Sequence, residues 1–211
     1  MTTIAVTSEN RTQLLRRGIR LEVLTVGWNI VEGIVAIGAG MAAGSVALIG
    51  FGIDSFVESI SGSVLLWRLR AEATGGADEE RVEQVERRAE RLVGLSFLVL
   101  GAYVAYQAVQ SLVAGEEPAP SPVGIALTLL SLIVMLWLAR AKRRTGEALA
   151  SRALIADSKQ TFACWYLSAT TLAGLTLNAV FGLWWADPVA ALVIVVFLVR
   201  EGIEALRGED D

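Results

Sequence analysis

Apolar residues run through this 211-residue chain in six long blocks, separated by short polar or glycine-rich breaks. The blocks lie at 21–43, 45–67, 92–114, 122–139, 153–177 and 184–199. They are too long for strands and too uniformly apolar for the one-sided stripe of a water-exposed helix. Crossing the hydrocarbon takes about 20 mostly apolar residues, so the pattern predicts an all-α membrane protein of six transmembrane helices. Arg16, Arg17 and Arg20 precede the first block in the manner of a signal peptide. That block is too long for a cleaved leader and five more follow, so it reads as a retained span.

Charge placement orients the bundle. Of the 18 Lys and Arg, four precede span one, six follow span two, five follow span four and two follow span six. Lys159 lies in span five, and the three alternate connections, around Gly44, 116–122 and 178–181, hold none. Positive loops stay in the cytosol, which predicts cytosolic N- and C-termini, with Trp184 and Trp185 in the outer aromatic belt and Trp67 and Trp137 near the inner one. The expected organisation is a cytosolic tail at 1–20, a six-span transport domain at 21–207 with a charged cytosolic loop at 68–91, and a short tail at 208–211. The loop reads as a flexible Gly75-Gly76 joint and a mixed-charge helix running into span three. That helix is either a solvated extension laced with i, i+4 ion pairs or a gating element.

Composition removes several functions. The chain is 54% hydrophobic with a mean hydropathy of +0.55, as befits an integral membrane protein with the lipid bilayer as its partner. A net charge of -4 without a basic stripe argues against nucleic acid. One cysteine and no histidine leave no disulfide framework, no structural zinc site and no imidazole catalysis. Nothing pairs a nucleophile with a base, so neither an enzyme nor an organic cofactor is expected.

Polar residues inside the spans point to cation chemistry. An ionisable side chain at the centre of a spanning helix costs about 2.5 to 3.5 kcal/mol or more, and such residues mark functional positions. Asp54 and Glu58 share a face of span two at i, i+4, while Asp157, Gln160 or Thr161, and Cys164 form a stripe on span five. Both segments open with Ser-x-Ala-Leu-Ile, at 45–49 and 151–155, and they run in opposite directions. Inverted copies place transporter sites near the midplane. Aligned on that motif, Asp54 matches Gln160 and Glu58 matches Cys164; antiparallel packing then sets Glu58 near Gln160 and Asp54 near Cys164. Two carboxylates, a thiol and an amide oxygen in a low dielectric call for a divalent cation, with Zn2+ favoured and Mn2+, Fe2+, Cd2+ and Co2+ open.

Each residue also has a plainer reading. Cys164 is either a ligand or a small buried hydrophobe, Gln160 a ligand or a group that orients Glu58 or a water, and Asp157 a ligand or a helix cap. Lys159 either snorkels to the cytosolic surface or pairs with Glu22. Asn29 and Glu32 in span one either bond to a neighbouring helix or carry protons. Asp187 with Pro188 reads as the start of span six, and GMAAG at 40–44 as weak evidence for dimerisation.

The motifs SVALIGFGIDSFVES, ALIADSKQTFAC and WADPVAALVIVVFLVREG resemble the cation diffusion facilitator family of six-span metal/proton antiporters. That family usually carries Asp-x-x-x-Asp in span two and His-x-x-x-Asp in span five, often preceded by Ala-Asp. Asp54 and Glu58 stand at the first pair, Gln160 and Cys164 at the second, and Asp157 at the preceding Asp. The resemblance implies metal export from the cytosol to the outside of a bacterial plasma membrane, driven by inward protons through a site between spans two and five. It also implies a homodimer, here through membrane helices, since the usual C-terminal cytosolic domain is not found in the sequence. The alternatives are a metal-binding sensor or scaffold that does not transport, and a proton-coupled carrier of another cation.

Overall fold

The computed structural model describes residues 8–73 and 79–207, with side chains described over 11–73, 91 and 94–207. The Gly75-Gly76 joint, the charge pairs expected over 79–90 and the tail at 208–211 lie outside these described residues and side chains. Among the described residues the chain forms six helices and no strand: α1 (Ser8–Ala43), α2 (Val46–Ala73), α3 (Glu79–Ala114), α4 (Pro122–Leu149), α5 (Arg152–Phe181) and α6 (Ala186–Arg207). At about 1.5 Å per residue, even α6 exceeds the roughly 30 Å of hydrocarbon. Within α1 to α4 lie stretches apolar enough to span a membrane by length and composition. In α5 and α6 the apolar runs are diluted by polar residues along α5 and charged residues at the ends of α6.

The helices pack chiefly as pairs, α1 with α2, α4 with α5 and α3 with α6, and α2 also meets α5. Lipid supplies no hydrophobic drive between helices, so close backbone approach and polar contacts hold them together. Gly94 and Gly202 face each other across α3 and α6, and a Cβ on either would lie 2.9 Å from the other's carbonyl oxygen. A core of Leu48, Phe51, Val104, Leu167 and Ile194 joins the pairs.

The two halves of the sequence repeat are two copies of one helical hairpin. Ser45 caps α2 and Ser151 caps α5, each hydroxyl accepting from the N–H three residues on, at 3.1 and 3.4 Å. The residue before each serine is left-handed, Gly44 at φ 69° and Ala150 at φ 53°. A Cβ on Gly40 would lie 2.8 Å from Ile49, and one on Gly146 would lie 2.9 Å from Ile155. The GMAAG segment is therefore consumed within the chain: Gly40 admits α2 against α1, and Gly44 makes the turn. Asp187 adds a tie between distant segments. It stands in the first turn of α6, as its sequence context predicts. Its carboxylate, however, accepts from Ser45 Oγ at 2.5 Å and from the Val46 N–H at 3.0 Å, serving the orphan donors that open α2.

Lys142 departs from its expected place in a cytosolic loop. Lys142, counted above with the cytosolic loop charges, belongs to α4, which continues to Leu149, and is fully buried. Its ammonium donates to Asp157 of α5 at 2.5 Å, to Glu22 of α1 at 3.2 Å and to Thr161 of α5 at 3.2 Å. Glu22 is thus held by Lys142 and not by Lys159, whose side chain is exposed. The reason is spacing: Met135, Leu138, Lys142, Thr145 and Leu149 recur at three and four residues and are all buried.

Two outcomes follow for stability in detergent, measured by chemical or thermal unfolding. Lys142→Met strands Glu22 and Asp157 without their cation and is expected to cost about 3–5 kcal/mol, with much of the loss restored by adding Asp157→Asn. Ala150→Gly relieves a left-handed alanine and is expected to gain about 0.5–1 kcal/mol.

Candidate functional site

Counting from the two capping serines explains which polar residues meet. Asp54 is nine residues and Glu58 thirteen residues beyond Ser45; Gln160 and Cys164 stand at the same distances from Ser151. The helices are antiparallel, so the deep position of one copy meets the shallower position of the other. Cys164 Sγ donates to Asp54 Oδ2 at 3.4 Å, and both residues are buried. The thiol also faces Glu58. Asp54, Glu58 and Cys164 are therefore neighbours, contributed by α2 and α5.

Gln160 is placed differently from its expected position beside Glu58. Its Oε1 accepts from Ser61 Oγ at 3.2 Å, about one turn further along α2, and the side chain is only half-buried. Asp157 lies on the same stripe of α5 as Thr161 and Cys164, but its carboxylate is held by Lys142. Among Asp157, Gln160 and Thr161, it is the face with Asp157 and Thr161 that turns inward, and Ser151 takes the capping role at the start of α5.

Span one completes the cluster. Asn29 Nδ2 donates to Glu58 Oε2 at 2.7 Å. Glu32 accepts from Ser55 Oγ of α2 at 3.0 Å and from Trp28 Nε1 of its own helix at 3.2 Å. Of the two readings for this pair, the interhelical hydrogen bond is what the geometry shows. Further hydroxyls join α4 to α5, with Ser168 Oγ donating to Ser131 Oγ at 3.0 Å. The polar layer thus draws on α1, α2, α4 and α5.

Two features of this layer bear on its chemistry. Glu58 Oε1 and Asn29 Oδ1 are buried and lack a hydrogen-bond partner among the described residues. An orphaned buried acceptor costs about 1–3 kcal/mol, so these oxygens have the capacity to accept from a donor or to ligate a cation. The charge balance is also one-sided. Glu22, Glu32, Asp54, Glu58 and Asp157 are buried in the four helices, against Lys142 as the buried cation among the described residues. Among those residues no three Asp, Glu or Cys side chains stand at the spacing of a closed metal cluster. The arrangement is a thiol–carboxylate contact with a second carboxylate beside it.

Lys142 and Ser61 join this network without being singled out in the sequence, whereas Thr161 is the stripe's alternative to Gln160 and is the one that turns inward. For Lys142 the signal is present, since it lies on the buried stripe of its helix; for Ser61 there is none, because serines recur throughout α2.

Comparison with known proteins adds the family. The model of the cation efflux transmembrane domain matches residues 23–208. Similar proteins include an uncharacterized transporter of Synechocystis sp., 28% identical over 187 residues, which are 88% of this chain and 60% of that protein. Another uncharacterized transporter, of Methanocaldococcus jannaschii, is 24% identical over 181 residues, 84% of this chain and 63% of its own length. The magnetosome protein MamB of Magnetospira sp. is 23% identical over 184 residues, 86% and 61% of the two chains. The chain thus spans about three-fifths of the length of these curated relatives. With the domain match covering nearly all of its helical bundle, the chain belongs to the cation efflux family.

Proposed function

We propose that this chain moves a divalent transition-metal cation, Zn2+ in preference to Mn2+, Fe2+, Cd2+ or Co2+, across the membrane in exchange for protons. The observation that carries the reading is the buried excess of carboxylates around an unpartnered oxygen of Glu58, on the two helices whose polar positions correspond by an inverted repeat. Asp54, Glu58 and Cys164 are the proposed ligands. Carboxylate oxygens and a thiolate suit tetrahedral Zn2+ at about 2.0–2.2 and 2.3 Å. Asn29 fixes the orientation of Glu58 through its 2.7 Å hydrogen bond and offers its free Oδ1. Gln160 and Asp157 are assigned supporting roles, Gln160 through Ser61 and Asp157 through Lys142.

Coupling to protons follows from the ligands' own chemistry. A thiol and carboxyls must lose protons to bind a cation, so metal arrival releases protons and proton arrival releases metal. In a closed apolar layer the two occupants neutralise the same charges and exclude each other. Exchange of access between the two sides then exports metal as protons enter. The direction, from cytosol to outside across a plasma membrane, rests on the family and on the basic loops. A homodimer through membrane helices belongs to the same proposal.

Uptake into proteoliposomes with internal pH recorded tests the reading. Asp54→Ala is expected to reduce metal-driven proton movement to the level of empty vesicles; unchanged flux contradicts the site, and metal binding without flux in the wild type supports a sensor or scaffold. Cys164→Asp should move the order of preference from thiophilic ions toward Mn2+ and Fe2+. Asn29→Ala should weaken metal affinity by about 10- to 100-fold, as loss of a ligand-orienting partner does. In equilibrium binding to the wild type, affinity should rise with pH, because the deprotonated ligands bind.

A further inference from the structure

Between α1 and α4, with Trp165 of α5 in its wall, lies an open groove of about 730 Å³. One end carries Arg17 and Arg20 of α1 with Arg140 and Arg144 of α4. None of the four pairs with an acidic side chain among the described residues, and no acidic residue lines the groove. Trp137 and Trp165 come next, and leucine and isoleucine side chains fill the remainder toward the middle of the bundle. The order along the helix axis is cationic, aromatic, apolar. It is the order of a bilayer leaflet read from headgroup to acyl chain.

We propose that this groove binds one anionic phospholipid of the cytosolic leaflet, with its phosphate among the four arginines and an acyl chain along Trp137, Ile133 and Leu132. Dimensions agree. From Arg144 to Leu132 is twelve residues of α4, or roughly 18 Å, close to the thickness of one leaflet at about half of the roughly 30 Å hydrocarbon. The side chains that take the chain are open to lipid, with Ile133 65% and Trp137 57% exposed. Guanidinium groups recognise phosphate oxygens in a bidentate way that a choline headgroup's own cation opposes. Basic pockets between helices on the cytosolic side are the expected receptors for such headgroups. A second copy of this chain is disfavoured as the occupant, because it would bring like-charged arginines together.

The location gives the lipid a consequence. Leu21 and Ala141 form part of the groove, and each immediately precedes a member of the buried ion network, Glu22 and Lys142. A bound lipid therefore covers the α1–α4 seam behind which Lys142 meets Glu22. Its headgroup lies at the surface while the ion pair lies within.

Quenching of tryptophan fluorescence by brominated-chain lipids tests the site, using the full chain in phosphatidylcholine vesicles. Dibrominated phosphatidylglycerol is expected to quench with a relative association constant at least about fivefold above dibrominated phosphatidylcholine, the effect of one favourable basic contact. The excess should disappear when Trp137→Phe and Trp165→Phe are combined and in Arg20→Gln with Arg140→Gln, and should fall with salt. Equal quenching by the two lipids in the wild type overturns the proposal. Displacement of the excess by millimolar inorganic phosphate also overturns it, in favour of a free-anion site. Protection from both lipids together with cross-linking between copies through the groove overturns it in favour of a dimer contact. Should the arginine variant not fold, the comparison of wild type with the double tryptophan variant decides alone.

Discussion

Burying five carboxylates of α1, α2 and α5 with one cation, Lys142, among the described residues is the constraint on which the remaining architecture depends. Such charges are costly in hydrocarbon unless paired, protonated or bound to an ion. The bundle divides them into two groups. On one side Lys142 holds Glu22 and Asp157, tying α1, α4 and α5 with contacts that no apolar packing would orient. On the other, Asp54 meets the thiol of Cys164, Glu58 the amide of Asn29, and Glu32 the Ser55 hydroxyl and the Trp28 indole. The first group is a permanent tie. The second has no cationic side chain among the described residues, the deficit that the proposed metal would fill.

The incomplete group is positioned by backbone events far from it. Ser45 and Ser151 start α2 and α5, and a left-handed residue before each serine turns the chain back on its preceding helix. Gly40 and Gly146 let the returning helix approach closely, at Ile49 and Ile155. Because the hairpins are inverted copies, the depths of their polar positions are set by the same count from the cap. Asp187, from the last helix, fixes the cap of α2 itself. A carboxylate near one face of the membrane thereby controls the register of carboxylates near its middle.

Much of this was readable from the residues. The apolar blocks located the helices, and the Ser-x-Ala-Leu-Ile repeat placed Asp54 against Cys164 because caps fix helical phase. The lysine was not read, although its spacing permitted it. Lys142 stands among Arg140, Arg143 and Arg144, and a run of cations at the end of a span looks like a cytosolic loop. Only the continuation of α4 beyond the apolar block, with Thr145 and Leu149 on the same face, turns it inward. Gln160 shows the opposite limit. Its correspondence with Asp54 is sound in the repeat, yet its side chain meets Ser61, about one turn beyond Glu58 on α2, because the repeat fixes phase and depth along α5 but not the partner that a long amide side chain finds on the facing helix. Asp187 could be assigned to the start of α6 from local sequence, while its partner on α2 is a matter of tertiary packing.

The central claim is that Cys164 and the α2 carboxylates hold the metal together. X-ray absorption at the zinc edge on the purified chain loaded with one equivalent of Zn2+ tests it most directly, since Cys164 is the single cysteine. The account predicts one sulfur scatterer at about 2.3 Å with oxygens at about 2.0–2.2 Å, and loss of the sulfur in Cys164→Ser. A shell of oxygen alone in the wild type would contradict it.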